Sequence, residues 1–437
     1  MRTLEYYISK YSDLHPDKDA IVSGKDKVSY KELWTRIEER SKSLQCSSEP
    51  VNLIKTSQSI EFLVEYFASH LANKVVVPLS PDIPEEDYSN LWQLLTNTNI
   101  KDGCSDILYT TGTTGKVKGT MIGIDAILAD ADNLIDSQKF NSDVVFVISG
   151  PLNHIGSLSK VWPTMVVGGT LVITQGMKDL NDFFSALDYP SSTIATFLVP
   201  ASIRMLLQFG RNRLASYASK IDFIETGASA ISQSDMEDLC RILPNTRLYN
   251  TYASTETGIV CTHDFNAGYC VSGCLGRPMK NSHIHISSDG NISTSGKTTM
   301  LGYVGDDVLT QSIIRDNRCF TQDYGLLDKE GRLHLKGRNS DIINVGGYKV
   351  NPLDVENVAM SHPDVRDCIC IADQHPVLGT ALRLLVVTVS DKTFDKRSIA
   401  LFMKEKLEGY MVPQMYSKVE QINRTFNGKL DRKSYRK

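Results

Sequence analysis

The sequence predicts an α/β protein: a large N-terminal domain of several subdomains with layered sheets, followed by a small α+β C-terminal lid domain. Three observations carry that expectation. Helical and strand-like patterns alternate for most of the length, as in layered α/β folds. The chain has 437 residues, too many for one ordinary core, which points to two to four domains or subdomains. A polar break near residue 340 precedes a stretch with its own helix and strand pattern, long enough for a small domain.

Taken in order, residues 30–40 have helical periodicity and Lys74 to Leu79 is a short β-branched run. Further strands are expected at 144–148, 170–173 and 223–226, with helices between them. The most apolar stretch, Met165 to Ile173, is too short and too glycine-rich to span a bilayer and reads as a buried strand. Residues 287–291 and 328–331 look like hairpin turns, so the chain after about residue 270 is expected to be β-rich. The polar segment 337–341 is followed by Gly346 and Gly347, paired glycines that announce a bend. The expected domains are therefore 1–339 and 340–437. Within the second, 352–360 and 397–407 read as helices, 365–372 and 382–389 as strands.

With 41% apolar and 22% charged residues and a formal charge of −4, the composition is that of a soluble globular protein and lacks the basic footprint of a nucleic-acid binder. No integral membrane segment is expected. The first residues lack an apolar core, so no secretory signal is visible and cytoplasm is the default. Nine cysteines, an odd number without a repeated Cys-x-x-Cys spacing, read as reduced structural thiols. Cys270 and Cys274 with His263 lack the second pair that would complete a metal site.

The chemistry concentrates in a few segments. Tyr109-Thr110-Thr111-Gly112-Thr113-Thr114-Gly115-Lys116-Val117-Lys118-Gly119 follows a strand-like run and reads as a polyphosphate-binding loop. Its glycines let backbone approach an anion, its threonine hydroxyls and amides donate, and its lysines supply charge. It is not a Walker motif, because only two residues separate Gly112 from Gly115. A second segment, Tyr249 to Gly258, places an amide, an aromatic ring, hydroxyls and a carboxylate in one short loop, a set suited to a nucleotide and its metal. Glu225-Thr226-Gly227-Ala228-Ser229-Ala230 reads as a strand-to-helix turn. Thr321-Gln322-Asp323 and Gly337-Arg338 add a carboxylate and an arginine, a hydrogen-bond acceptor and a fixed cationic fork. Lys429 follows Asn427-Gly428 in a basic tail, eight residues from the end.

In this order the segments resemble the signature motifs of the acyl-adenylate-forming superfamily of acyl-CoA synthetases, luciferases and nonribosomal-peptide adenylation domains. The resemblance covers nearly the whole chain, in six ordered motifs from 109 to 432. It implies that Thr110, Thr111, Gly112, Thr113, Thr114, Gly115 and Lys118 cradle the phosphates of ATP. Gly227, Ala228, Ser229 and Thr251 would line the nucleotide, Asn250 would meet the adenine amino group and Tyr252 its face. Thr255 would bond the α-phosphate, Glu256 would hold Mg2+, and Asp323 and Arg338 would bind ribose and phosphate. Lys429 is implied as the main electrostatic catalyst, bridging carboxylate and α-phosphate. Departures from the family pattern are Ala253 and Gln322, where glycine is usual, and Leu335, often aromatic. Only 108 residues precede the phosphate loop, which implies a shortened N-terminal sheet subdomain.

The implied reaction is ATP-dependent activation of a carboxylic acid to acyl-AMP with release of pyrophosphate, then transfer to a thiol, most simply CoA, after rotation of the C-terminal domain. The implied hinge is Ser340, where relatives usually carry Asp or Lys, and Gly346 and Gly347 would face the incoming thiol. The segment 151–157 lacks the aspartate that amino-acid-activating members use, so a non-amino acid is expected. Its Pro-Leu-x-His pattern resembles acyl- and aryl-CoA ligases, including the o-succinylbenzoate type, and places His154, Gly156 and Ala230 at the acyl pocket. Two alternatives stay open: an adenylating enzyme that loads the phosphopantetheine of an acyl carrier protein, and a noncatalytic nucleotide-binding relative.

Overall fold

A computed structural model describes residues 2–111, 117–375, 379–389, 392–424 and 430–435. The central feature is a run of parallel strands, Asp19–Ser23, Thr170–Ile173, Val145–Ile148, Ile194–Leu198, Ile221–Thr226 and Arg247–Ser254, side by side in that order. All but Arg247–Ser254 are largely apolar because both of their faces are covered. Phe146, Ile148, Ala195 and Phe223 face one way, into a core with helices Leu4–Leu14, Ile124–Gln138 and Ile155–Val167. Their neighbours Val145, Val147, Ile224 and Leu248 face the other way, against helices Leu180–Ala186, Pro200–Phe209 and Gln233–Ile242.

Beyond Arg247–Ser254 the same sheet continues antiparallel through Gly258–Asp264, Cys274–Pro278, Leu333–Arg338, Arg318–Leu327, Asn291–Gly296 and Ser282–Ile286. The turns expected at 287–291 and 328–331 join the last of these strands, and the region after 270 is β-rich. A second sheet carries Val51–Lys55, Val75–Leu79, Cys104–Thr111, Val117–Gly123 and Gly302–Tyr303. The phosphate-loop segment is thus the tip of an antiparallel hairpin whose register pairs Thr110 with Lys118 and Thr111 with Val117.

The helix expected at 30–40 runs Tyr30–Gln45, started by the Ser29 hydroxyl accepting from the Glu32 amide. The stretch Met165 to Ile173 is not one strand. Helix Ile155–Val167 ends on Gly168 at φ +74, and only Thr170–Ile173 is extended. A left-handed glycine stops the helix by offering the αL turn that the apolar count alone does not reveal.

After Arg338 the chain builds a separate core around Val350, Val355, Ala359, Leu384, Val386 and Met403. Helix Pro352–Met360 begins with proline in its first turn and an Asn351 side-chain cap. It packs with Lys396–Lys404 and strand Val365–His375, which pairs with Gly379–Thr388, itself beside Met415–Lys418. Gly346 and Gly347, at φ +57 and +92, make the two-residue tip between Ile343–Val345 and Tyr348–Val350, where both central residues need positive φ.

Candidate active site

The nucleotide-side residues come from strands, not from the single loop the sequence suggests. Asn250, Thr251 and Tyr252 lie on Arg247–Ser254, hydrogen-bonded to Gly258–Asp264, and only 255–257 form the turn. Polar residues hid the strand because one of its faces belongs to a site and not to the core. Alternation puts Asn250 and Tyr252 on one face and Thr251 on the other, where its hydroxyl lies 2.9 Å from that of Thr262. Asn250 donates from Nδ2 to the Cys274 carbonyl at 3.1 Å, which leaves Oδ1 as an acceptor, the polarity an adenine amino group needs.

Tyr252, Asp323 and Arg338 form one connected unit. The register pairs Asp323 with Arg338. Tyr252 donates its hydroxyl to Asp323 Oδ2 at 2.8 Å, and Arg338 Nε donates to Oδ1 at 2.8 Å. Burial, and then the neighbouring Asp323 carboxylate, push the Tyr252 phenol well above its ordinary range, so it stays a donor. Asp323 is buried while Arg338 is half exposed. The carboxylate keeps lone pairs beyond these two bonds, enough to accept from a diol.

On the phosphate side, buried Thr255 and half-buried Glu256 sit in a turn fixed by the Ser254 and Thr257 hydroxyls, 3.1 Å apart. Tyr303 donates to Glu256 Oε1 at 2.9 Å and lies under Lys118, whose Nζ is 5.4 Å from the ring centroid. Tyr303 is placed there by pairing with Thr120 across the hairpin. It therefore links a lysine of the phosphate segment to the expected metal carboxylate, with one Glu256 oxygen left over, the hard ligand a divalent cation takes. Tyr303 escaped the sequence reading because nothing local marks it. Gly112, Thr113, Thr114 and Gly115 lie outside the described residues, and so does Lys429.

Of the acyl-side residues, Gly156 lies against Phe197, and Gly227 of the nucleotide side approaches the same ring. A Cβ on Gly156 would lie 3.0 Å from that ring, and one on Gly227 would lie 3.6 Å from the ring and 3.0 Å from the Thr251 carbonyl, so both glycines permit close approach. Ala228 holds φ +68, with exposed Ala230 and half-buried Ser229 following in the turn before helix Gln233–Ile242. His154 stands at the N-cap position of helix Ile155–Val167.

Ser340 lies in the 3-10 turn Asn339–Asp341, just past Arg338. Gly346 and Gly347 point into open space, where a Cβ would meet nothing within 4 Å. Two arginine clamps flank the segment that carries Lys429. On one side Arg424 donates to both oxygens of Asp367, at 3.0 and 2.7 Å, and Asp367 also accepts from Arg204 of helix Pro200–Phe209 at 3.1 Å. On the other, Arg432 holds Glu356 through two contacts of 2.6 Å. A cavity of about 250 Å³ opens between Arg204, Met205, Arg366 and Arg424.

No helix among the described residues is long and apolar enough to cross a membrane. Residues 96–304 match the family described as AMP-binding enzyme, and residues 354–429 match the AMP-binding enzyme C-terminal domain. The chain is 26% identical over 335 residues to an indoleacetate–CoA ligase of Aromatoleum aromaticum, a match spanning 74% of this chain and 65% of that enzyme, just under two thirds of its length. It is 28% identical over 343 residues to a 2-succinylbenzoate–CoA ligase of Bacillus mycoides, across 76% of this chain and 69% of the relative. Its fold is that of ATP-bound MatB from Rhodopseudomonas palustris, with a TM-score of 0.88 at 21% identity over 99% of both chains. The o-succinylbenzoate coenzyme A synthetase MenE from Bacillus subtilis, solved in complex with ATP and magnesium, superposes at a TM-score of 0.83 with 20% identity over 98% of both chains. Two consecutive family matches, one over the phosphate segment and strand Arg247–Ser254 and the other over most of the C-terminal lobe, lead to one conclusion: this chain belongs to the AMP-binding enzyme family.

Proposed function

We propose that this protein is an AMP-forming acid–thiol ligase, which activates a non-amino carboxylic acid to acyl-AMP with release of pyrophosphate and passes the acyl group to a thiol, CoA. The observation that carries this reading is the Tyr252–Asp323–Arg338 unit, whose Tyr252 lies on the strand that runs directly into the Thr255–Glu256 turn. The named CoA ligases among the relatives support it.

A carboxylate is a poor acyl donor because its oxygen leaves badly, and esterification to AMP corrects that. In the first half-reaction a carboxylate oxygen attacks the α-phosphorus of ATP, and the bond to the β-phosphate breaks to release pyrophosphate. Asp323 accepts from the ribose hydroxyls while Tyr252 and Arg338 hold it in place. Asn250 reads the adenine amino group, and Thr255 donates to the α-phosphate. Lys118 adds positive charge beside the phosphates, and we assign phosphate binding to Gly112 to Gly115 and charge stabilisation to Lys429 on the sequence pattern. Glu256 would hold Mg2+, which would supply positive charge to the phosphate oxygens.

In the second half-reaction a thiol sulfur attacks the acyl carbonyl, its proton is lost, and AMP departs. We place the domain boundary at 339/340 and the hinge at Ser340, so that rotation withdraws Lys429 and brings Gly346 and Gly347 to the thiol. Nine free cysteines fit the reducing, cytoplasmic setting expected from the sequence. The test is ATP–pyrophosphate exchange across aryl, acyl and dicarboxylic acids, then competition between CoA and a phosphopantetheinylated carrier protein. Acid-dependent exchange and thioester on CoA are expected. Thioester only on the carrier would replace CoA as acceptor, and ATP binding without exchange for any acid would leave a noncatalytic relative.

A further inference from the structure

The first turns of helix Ile155–Val167 carry a residue that an apolar acyl pocket does not need. Lys160, four residues after Gly156 and so on the same helix face, is 1% exposed and pairs with Glu225 Oε1 at 2.8 Å. Glu225 stands on Ile221–Thr226, in register with Phe197 on the neighbouring parallel strand and two residues before Gly227. Lys160 Nζ lies 5.3 Å from the Phe197 ring centroid. The half-buried ring that Gly156 and Gly227 approach is thus also the cover of an enclosed ion pair.

That pair is incompletely satisfied. Glu225 Oε2 is fully enclosed and has no hydrogen-bond partner among the described residues. Lys160 has three donors, of which the Glu225 contact uses one. The nearby Asp130 carboxyl, pushed well up by burial, accepts from the Ile259 amide. A buried Lys–Glu pair is weak evidence for stability, since an apolar pair of equal volume commonly serves as well or better. An open acceptor beside an ammonium, behind one aromatic ring, has the form of a subsite for a group that both donates and accepts.

Resting on the ligase reading, we infer that Lys160 and Glu225 form the inner end of the acyl pocket and select a carboxylic acid bearing a hydroxyl at the end remote from its carboxylate. The hydroxyl donates to Glu225 Oε2 and accepts from Lys160, with Phe197 moving aside or stacking on the chain that joins the two ends. Lys160 and Glu225 are specificity residues and take no part in the transfer itself.

The test uses the full-length protein and matched acids, aryl and straight-chain, with and without the remote hydroxyl, plus the corresponding dicarboxylic acids. The readout is kcat/KM for pyrophosphate release. A site built to bond a hydroxyl rejects its absence strongly, so a preference of ~10²-fold or more is expected for at least one matched pair. In Lys160→Met with Glu225→Leu, checked for folding by a retained ATP-induced rise in Tm, that ratio should collapse towards one. A wild-type ratio near one for every pair, a preference for the dicarboxylic acids, or a ratio unchanged in the double variant overturns the inference. The wild-type comparison decides by itself if the double variant does not fold. Exchange with no hydroxyl preference overturns this inference alone, whereas no exchange with any acid overturns the ligase reading and this inference with it.

Discussion

Asp367→Ala is the sharpest perturbation of the arrangement that presents the C-terminal segment. Asp367 joins Arg424, in the chain leading to Lys429, to Arg204, which Asp235 holds at 3.1 Å on the other lobe. All three side chains of the Asp367 clamp are about one-fifth exposed, so its contacts are partly shielded from water. Charge-assisted hydrogen bonds contribute about 1.5–3 kcal/mol each when measured by removal. With a discount for exposure we assign about 2 kcal/mol to the Arg424 contact, in which Nη2 donates to both carboxylate oxygens. Arg204 keeps Asp235, so its lost contact adds about 1 kcal/mol. Only the Arg204 contact crosses between the domains, so about 1 kcal/mol, or ~5-fold, comes off the population of this domain arrangement, while the Arg424 contact orders the chain leading to Lys429 within its own domain. Taking this as the adenylating arrangement, acid-dependent pyrophosphate exchange falls ~5-fold, and thioester formation from supplied acyl-AMP is kept or rises. Adding Arg424→Ala should cost little more, because the pair acts as a unit. Equal loss of both half-reactions in a folded variant, or unchanged exchange, would refute the latch.

Glu256→Gln replaces a charged hard ligand by a neutral one and should raise the Mg2+ concentration needed for half-maximal exchange by ~10-fold or more, with Tyr303→Phe shifting it less; an unchanged metal titration removes the ligand assignment. His70 lies between Asp106 at 2.7 Å and Glu5 at 3.2 Å; burial opposes its charge, but the two carboxylates raise its pKa to about 10. A raised folded pKa means its stabilisation is complete below the unfolded value of about 6.5 and fades as pH rises through about 10, so the urea midpoint of wild type should converge on that of His70→Gln over that window, and a constant gap would refute the pairing. Gly276→Ala should cost about 3 kcal/mol or more, because φ is +77 and the new Cβ would lie 2.1 Å from the Thr262 carbonyl oxygen, whereas Gly331→Ala, at φ +74 in open space, should cost about 1 kcal/mol; equal Tm losses would contradict the difference.

The parallel strands Val145–Ile148, Thr170–Ile173 and Ile221–Thr226 were legible because burial on both faces makes them largely apolar runs, and helix Pro352–Met360 because proline and an asparagine cap mark its start. Gly346 and Gly347 announced their turn for the same kind of local reason. Strand Arg247–Ser254 was not legible: its polar residues mimic a loop when the site they face is absent from the reading frame of local pattern. The contacts that join the site are further still from local rules. Tyr303 meets Glu256 across 47 residues, Arg204 meets Asp367 across 163, and Lys160 meets Glu225 across 65. Residue type flags such groups as candidates, but only the tertiary fold selects the partners.

The chemistry is tested most directly by following oxygen from the acid. With an accepted acid labelled with oxygen-18 in its carboxylate, ATP and CoA, attack of that carboxylate on the α-phosphorus followed by acyl transfer to sulfur must leave one labelled oxygen in AMP and none in pyrophosphate. Mass spectrometry of the products reads both. Label in AMP alone is the expected result. Label in inorganic phosphate, with ADP formed in place of AMP, would mean attack at the γ-phosphorus and would contradict an acyl-adenylate route.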